Sequence, residues 1–187
     1  MRRLCVSIVI AASALLAACD VFVPQCEVKT PLVVGDGWTL VPPAQDVLWP
    51  PPEGAPLCEE DALQTQPLGD DLAFEIDTRF GCGWATASQP IAHDVAAGSL
   101  VQVRVFYFSQ NTFPAAEATV ALALAGDIVM DERVAIPTSS GLLAPQVPVP
   151  RDLAAGELAH FHVGNHGDNS WNLVEVSSIG PGPCEEP

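Results

Sequence analysis

The chain has 187 residues, 49% of them hydrophobic, with 7 basic residues against 23 acidic ones and a formal net charge of −16. That length suits one domain with a substantial core, needing neither a metal nor oligomerisation to fold. The charge excludes nucleic acid as a partner, because phosphate binding needs a basic footprint and Lys29 is the single lysine.

Residues 1–18 open with Arg2 and Arg3 and then run apolar from Leu4 to Ala18. A charged start before a short apolar run is the layout of an export signal peptide, and the run falls short of the ~20 residues that a spanning helix needs. It ends in Leu16-Ala17-Ala18-Cys19, which resembles a bacterial lipobox. The resemblance implies cleavage before Cys19 and a diacylglycerol thioether on its sulfur. The protein is then extracytoplasmic and lipid-anchored to a bacterial membrane, at the outer membrane or cell surface in preference to the inner membrane. Each buried methylene adds roughly 0.8 kcal/mol, so two or three acyl chains hold where one would not. Without Arg2 and Arg3, five basic residues face 23 acidic ones, a net of about −18. A surface so acidic repels anionic lipid, which leaves the anchoring to the acyl chains.

Cys5 leaves with the signal and Cys19 takes the lipid, so Cys26, Cys58, Cys82 and Cys184 remain. An even number in an oxidising compartment reads as a disulfide set, and no CxxC pair points to zinc. Of the three pairings, the favoured one joins Cys58 to Cys82, closing a loop of about 25 residues, and Cys26 to Cys184, tying the two ends together.

After the signal, residues 19–37 read as a lipidated tether and lead-in containing a first edge strand. Residues 38–70 form a Pro-rich N-terminal extension packed on the main domain. Within it, WPPPEGAP at 49–56 runs as polyproline II, unable to donate to a sheet ladder. The domain itself occupies 71–187. There, β-prone runs at 72–78, 83–91, 99–108, 118–125, 127–136, 142–149, 157–163 and 171–179 are each bounded by turn residues. No useful window carries apolar residues at helical spacing. The expected fold is all-β, an antiparallel two-sheet β-sandwich of jelly-roll type with about eight strands.

An internal echo assigns facing. HDVAAGSLVQVRV (93–105) and RDLAAGELAHFHV (151–163) align without a gap, as strands at equivalent places in the two sheets of a jelly roll would. The alignment matches Val101, Val103 and Val105 to Ala159, Phe161 and Val163 as the core side. Gln102 and Arg104 match His160 and His162, which therefore face away from the core.

The stretch FHVGNHGDNSW (161–171) concentrates the polar candidates. His160 and His162 share a strand face about 7 Å apart, and with His166 they form an array suited to Zn²⁺ or Cu²⁺. The pair resembles the H-x-H start of the cupin metal motif, although no Glu follows at the required place. Asn165, Gly167, Asp168 and Asn169, in the loop that also holds His166, suit a tight turn or, through oxygen atoms, Ca²⁺. Trp171 starts the last strand as core anchor or sugar platform, and Trp38, Trp49, Trp84 and the run Phe106-Tyr107-Phe108 are further aromatic candidates.

The strand pattern from 71 to 180 resembles galactose-binding-like and carbohydrate-binding-module jelly rolls. Residues 165–171 are similar to the Asn-His-Gly…Asn…Trp stretch of cell-surface lipoproteins. The resemblance implies fold more than ligand. No G-x-S-x-G or H-E-x-x-H is present, and acidic pairs such as Asp70-Asp71 arise by chance in so acidic a chain. The expectation is therefore a non-enzymatic lipoprotein without a required cofactor. It binds a glycan or cell-envelope component through His160, His162, Asn165, His166, Asp168, Asn169 and Trp171. A metal-holding lipoprotein and a purely structural envelope protein are the alternatives.

Overall fold

Short β-prone runs separated by Gly, Pro and Asn build two antiparallel sheets packed face to face. The computed structural model describes residues 25–79, 81–165 and 167–183. Its strands are β1 (Gln25–Pro31), β2 (Thr39–Leu40), β3 (Leu63–Leu68), β4 (Asp71–Asp77), β5 (Trp84–Pro90) and β6 (Leu100–Tyr107). They continue with β7 (Ala116–Leu124), β8 (Asp127–Ile136), β9 (Gly141–Leu143), β10 (Gln146–Pro148), β11 (Leu158–Gly164) and β12 (Ser170–Pro183). The larger sheet has the order β10-β6-β12-β4-β3, with β9 also on β6 and β1 on the second half of β12. The smaller has the order β2-β5-β11-β7-β8. No helix among the described residues is long and apolar enough to cross a membrane.

The eight expected runs appear as β4 to β12, the run at 142–149 being split at Ala144-Pro145 into β9 and β10. Residues 25–70 add β1, β2 and β3, so the sheets begin well ahead of Asp71 and the described strands number twelve rather than about eight. β3 lacks an apolar alternation and is held as an edge strand, where Pro67 forfeits no central ladder bond. A two-residue turn, Gly69-Asp70, returns it to β4, with Gly69 at φ +67°.

The core lies between the sheets. Val101, Val103 and Val105 of β6 and Ala159, Phe161 and Val163 of β11 are wholly buried, as the echo assigns them. Trp38 stacks on Phe74 at 4.9 Å, and both meet Phe161 edge-on. Trp171 lies against Tyr107 at 5.3 Å. On β12 the inward spacing changes from two residues (Trp171, Leu173) to three (Val176), because a bulge interrupts the register between Leu173 and Glu175.

The echo also has a structural meaning. Asp94 Oδ1 accepts the Ala155 N–H and Asp152 Oδ1 accepts the Ala97 N–H, each at 2.8 Å. Val95 and Leu153 exchange backbone bonds of 2.9 Å in both directions. Each Asp-x-Ala-Ala-Gly loop thus caps the other, clasping the sheet of β6 to the sheet of β11. One pattern recurs because each copy is the other's partner.

Candidate functional site

The outward face of the smaller sheet carries Trp84 and Thr86 on β5, His160, His162 and Gly164 on β11, Thr119 on β7 and Arg133 on β8, aligned across the strands by register. Prolines at 42, 43, 50, 51, 52 and 56 keep residues 41–58 out of any long strand, and this segment crosses the face as a strap. It is fastened along its length. Val41 N–H donates to the Thr86 carbonyl at 2.8 Å and Cys58 N–H to the Trp84 carbonyl at 3.0 Å. Trp84 Nε1–H donates to the Trp49 carbonyl at 3.1 Å. Asp46 receives the Trp49 N–H on one oxygen at 2.9 Å and the Thr86 hydroxyl on the other. The expected Cys58–Cys82 disulfide locks the strap's far end.

From the strap, Trp49 lies parallel to the His162 ring with centroids 5.0 Å apart, and Trp84 of β5 meets the same ring edge-on at 4.6 Å. Beside them opens a groove of about 420 Å³, walled by Trp49, the strap turn around Gly54, Trp84 and Gly83, and reaching Glu117, Thr119 and Arg133 on the far strands. Its chemistry is two half-buried indoles above a polar floor. Glycine is required at two points of the wall: a Cβ at Gly83 would lie 2.4 Å from the Asn165 carbonyl oxygen, and one at Gly164 would lie 2.7 Å from the Trp84 ring.

Among solved structures, the chain is similar to the carbohydrate-binding module TmCBM27, whose structure is described in terms of specific mannan recognition. The TM-score is 0.51 at 9% identity, over 82% of this chain and 98% of that one. The two share the jelly-roll β-sandwich fold. Weaker likenesses are to a CBM4 structure (TM-score 0.42, 12% identity, 80% of this chain and 94% of that one) and to the xylan-binding domain of CBM 22 (TM-score 0.40, 13% identity, 63% and 82%). No protein-family model and no curated protein matches the sequence.

Within this jelly roll the expected site residues divide. His160 and His162 do face away from the core, but His162 is wholly buried because the strap covers it, and it meets the surroundings only through the groove. His160 is half-buried. Asn165 borders the groove, yet its side chain works inward. Its amide donates to Thr78 Oγ1 at 2.8 Å and to the Gly167 carbonyl at 2.9 Å, and its oxygen accepts from Asn169 at 3.1 Å. Asn169 Oδ1 in turn accepts the Asn111 N–H at 3.0 Å. Together these asparagines latch the loop. Trp171 takes the core-anchor role of the two that the sequence offers: it is fully enclosed between the sheets and can stack on nothing from outside. Asp168 is exposed. His166, Cys19 and Cys184 lie outside the described residues. Cys26 is disulfide-bonded.

Among the described residues, no three His, Cys, Asp or Glu side chains are placed to hold a metal. Of the aromatic candidates, Trp38 is buried while Trp49 and Trp84 line the groove. Asp46, Thr86, Glu117 and Arg133 were not legible as site residues. They come from four separate elements, and only the Pro-rich run beside Trp49 marks in sequence that something crosses the sheet.

Burial pushes the His162 ring down to about 4, with the Arg133 charge adding to it and with the Asp46 charge and a backbone bond at Ala85 opposing. His160 is also lowered by burial, again opposed by Asp46. The unfolded chain therefore takes up a proton at His162 near the ordinary 6.5, before the folded one does. Stability from this residue is complete above that value and is lost as pH falls from 6.5 to about 4. The expected loss is up to about 3 kcal/mol, checked by urea unfolding across that range against His162→Gln, in which the slope should flatten.

Proposed function

We propose that this jelly roll is a non-catalytic glycan-binding module of the cell envelope, moored by lipid on Cys19, and that the glycan lies in the groove between Trp49 and Trp84. One observation carries the reading: two indoles, each anchored through its own backbone or ring N–H, flank a polar-floored groove on the open face of a sandwich sheet. A sugar ring has an apolar face to stack on indole and a rim of hydroxyls to meet the floor. The volume lies within the roughly 300–1,000 Å³ of small-molecule sites. Glu53 and Glu117 face a single cation, Arg133, so the groove suits a neutral glycan better than an acidic one.

Affinity electrophoresis in gels containing mannan, xylan or β-glucan tests this. At least one polysaccharide should retard the protein, and Trp49→Ala should weaken retention by about tenfold or more, the scale of an aromatic hot spot, with the melting temperature little changed. Equal mobility in every gel, or equal retention of Trp49→Ala, rejects the groove. The anchor is tested separately: radiolabelled palmitate should enter the wild-type protein and not Cys19→Ser.

A further inference from the structure

We propose that His162 is the specificity-determining residue of the groove: a neutral imidazole with its proton on Nδ1, offering a bare Nε2 lone pair to a hydroxyl of the bound ligand. This rests on the groove reading and adds what the floor requires of its occupant. The Thr86 hydroxyl has one proton and lies within bonding distance of both Asp46 Oδ2 and His162 Nδ1, the latter at 2.8 Å. A carboxylate is the stronger acceptor, and Asp46 already acts as one towards the Trp49 N–H on its other oxygen. The hydroxyl proton therefore goes to Asp46, and Thr86 has only lone pairs left for Nδ1. Nδ1 must then carry the ring proton. A second ring proton is opposed by the burial described above, so Nε2 is left as an acceptor.

That atom is buried and has no hydrogen-bond partner among the described residues. It belongs to a residue that lines the groove. The next residue on the same strand face is Gly164, where a Cβ would stand 3.3 Å from Nε2 and 2.7 Å from Trp84. Any other side chain there would close the floor. Trp49 on the ring's face and Trp84 at its edge keep the imidazole from turning aside. Arg133, the nearest cation of the groove, is held loosely between Glu117 at 3.9 Å and Asp131 at 4.0 Å. The fitting ligand is a neutral polyhydroxyl chain that donates an O–H to Nε2. An ionised carboxylate has no proton to donate and meets the lone pair with its own.

Two measurements on the full chain test this. Long-range ¹⁵N–¹H NMR at neutral pH, with the His162 signals assigned by their loss in His162→Gln, should show the proton on Nδ1. A proton on Nε2, or on both nitrogens, overturns the proposal whatever the groove binds. Titration calorimetry then uses mannohexaose, xylohexaose and cellohexaose as probes. For the one bound most tightly, His162→Phe and Gly164→Ala should each lose about tenfold in affinity. His162→Gln, whose amide oxygen can accept, should lose less, and Nε2 should shift on binding in the wild type. If Trp49→Ala loses binding while His162→Phe keeps it, the lone-pair role is rejected and the groove stands. If no probe binds, or Trp49→Ala binds like wild type, the groove and this inference fall together.

Discussion

Trp171→Ala is expected to destabilise the protein by about 3–5 kcal/mol, the cost of emptying a large aromatic site in a packed core. Trp171 is wholly enclosed, paired in register with Ile76 on β4 and Tyr107 on β6, so no neighbour can move in without disturbing both strands. Trp171→Phe should cost much less. Its ring fills most of the space, and it discards an indole N–H that has no acceptor among the described residues. Urea unfolding at fixed pH measures both. Glycan retention by Trp171→Phe should equal wild type, which separates this residue from Trp49. A Trp171→Phe protein that stays folded but no longer binds would favour the other role the sequence offers this residue, a sugar platform.

Replacing Cys58 and Cys82 together by serine is expected to cost about 3–4 kcal/mol, from loop-closure entropy returned to the unfolded chain. The residues are 24 apart in sequence and the bond is formed. A second consequence is local. The disulfide ends the strap, and the adjoining bonds from Cys58 N–H to the Trp84 carbonyl and from Gly83 N–H to the Pro56 carbonyl depend on it. Hydrogen exchange at Cys58 and Gly83 in the wild type, and at the corresponding amides of the double variant, should therefore differ more than exchange in β6 or β11. Affinity should fall with the strap's order even at temperatures where the sandwich stays folded. Uniform loss of protection across all strands would mean that the strap is not a separate unit.

The part of the fold that was legible came from local signals. Alternation in β4 to β12 gave away the strands, and the paired Asp-x-Ala-Ala-Gly loops gave away which faces of β6 and β11 are core. The Cys58–Cys82 pairing followed from separation and the exclusion of other roles. β3 was missed because LQTQPL has neither alternation nor β-branching except Thr65. What makes it a strand is the ladder offered by β4. Trp171 was ambiguous because a tryptophan after a polar loop looks the same in sequence whether it turns in or out. Register with Ile76 and Tyr107 turned it in.

From the amino-acid sequence alone came an acidic chain of alternating strands, a lipobox-like Cys19, and the direction in which His160 and His162 point. Periodicity and short motifs are local properties, so each could be read within a few residues. Only the tertiary structure decided that His162 is covered, that its Nδ1 is committed to Thr86, and that Trp49 and Trp84 frame one groove. Those relations join residues 46, 49, 84, 86, 133 and 162, brought together when a proline-rich strap crosses a sheet. No spacing along the chain encodes that crossing.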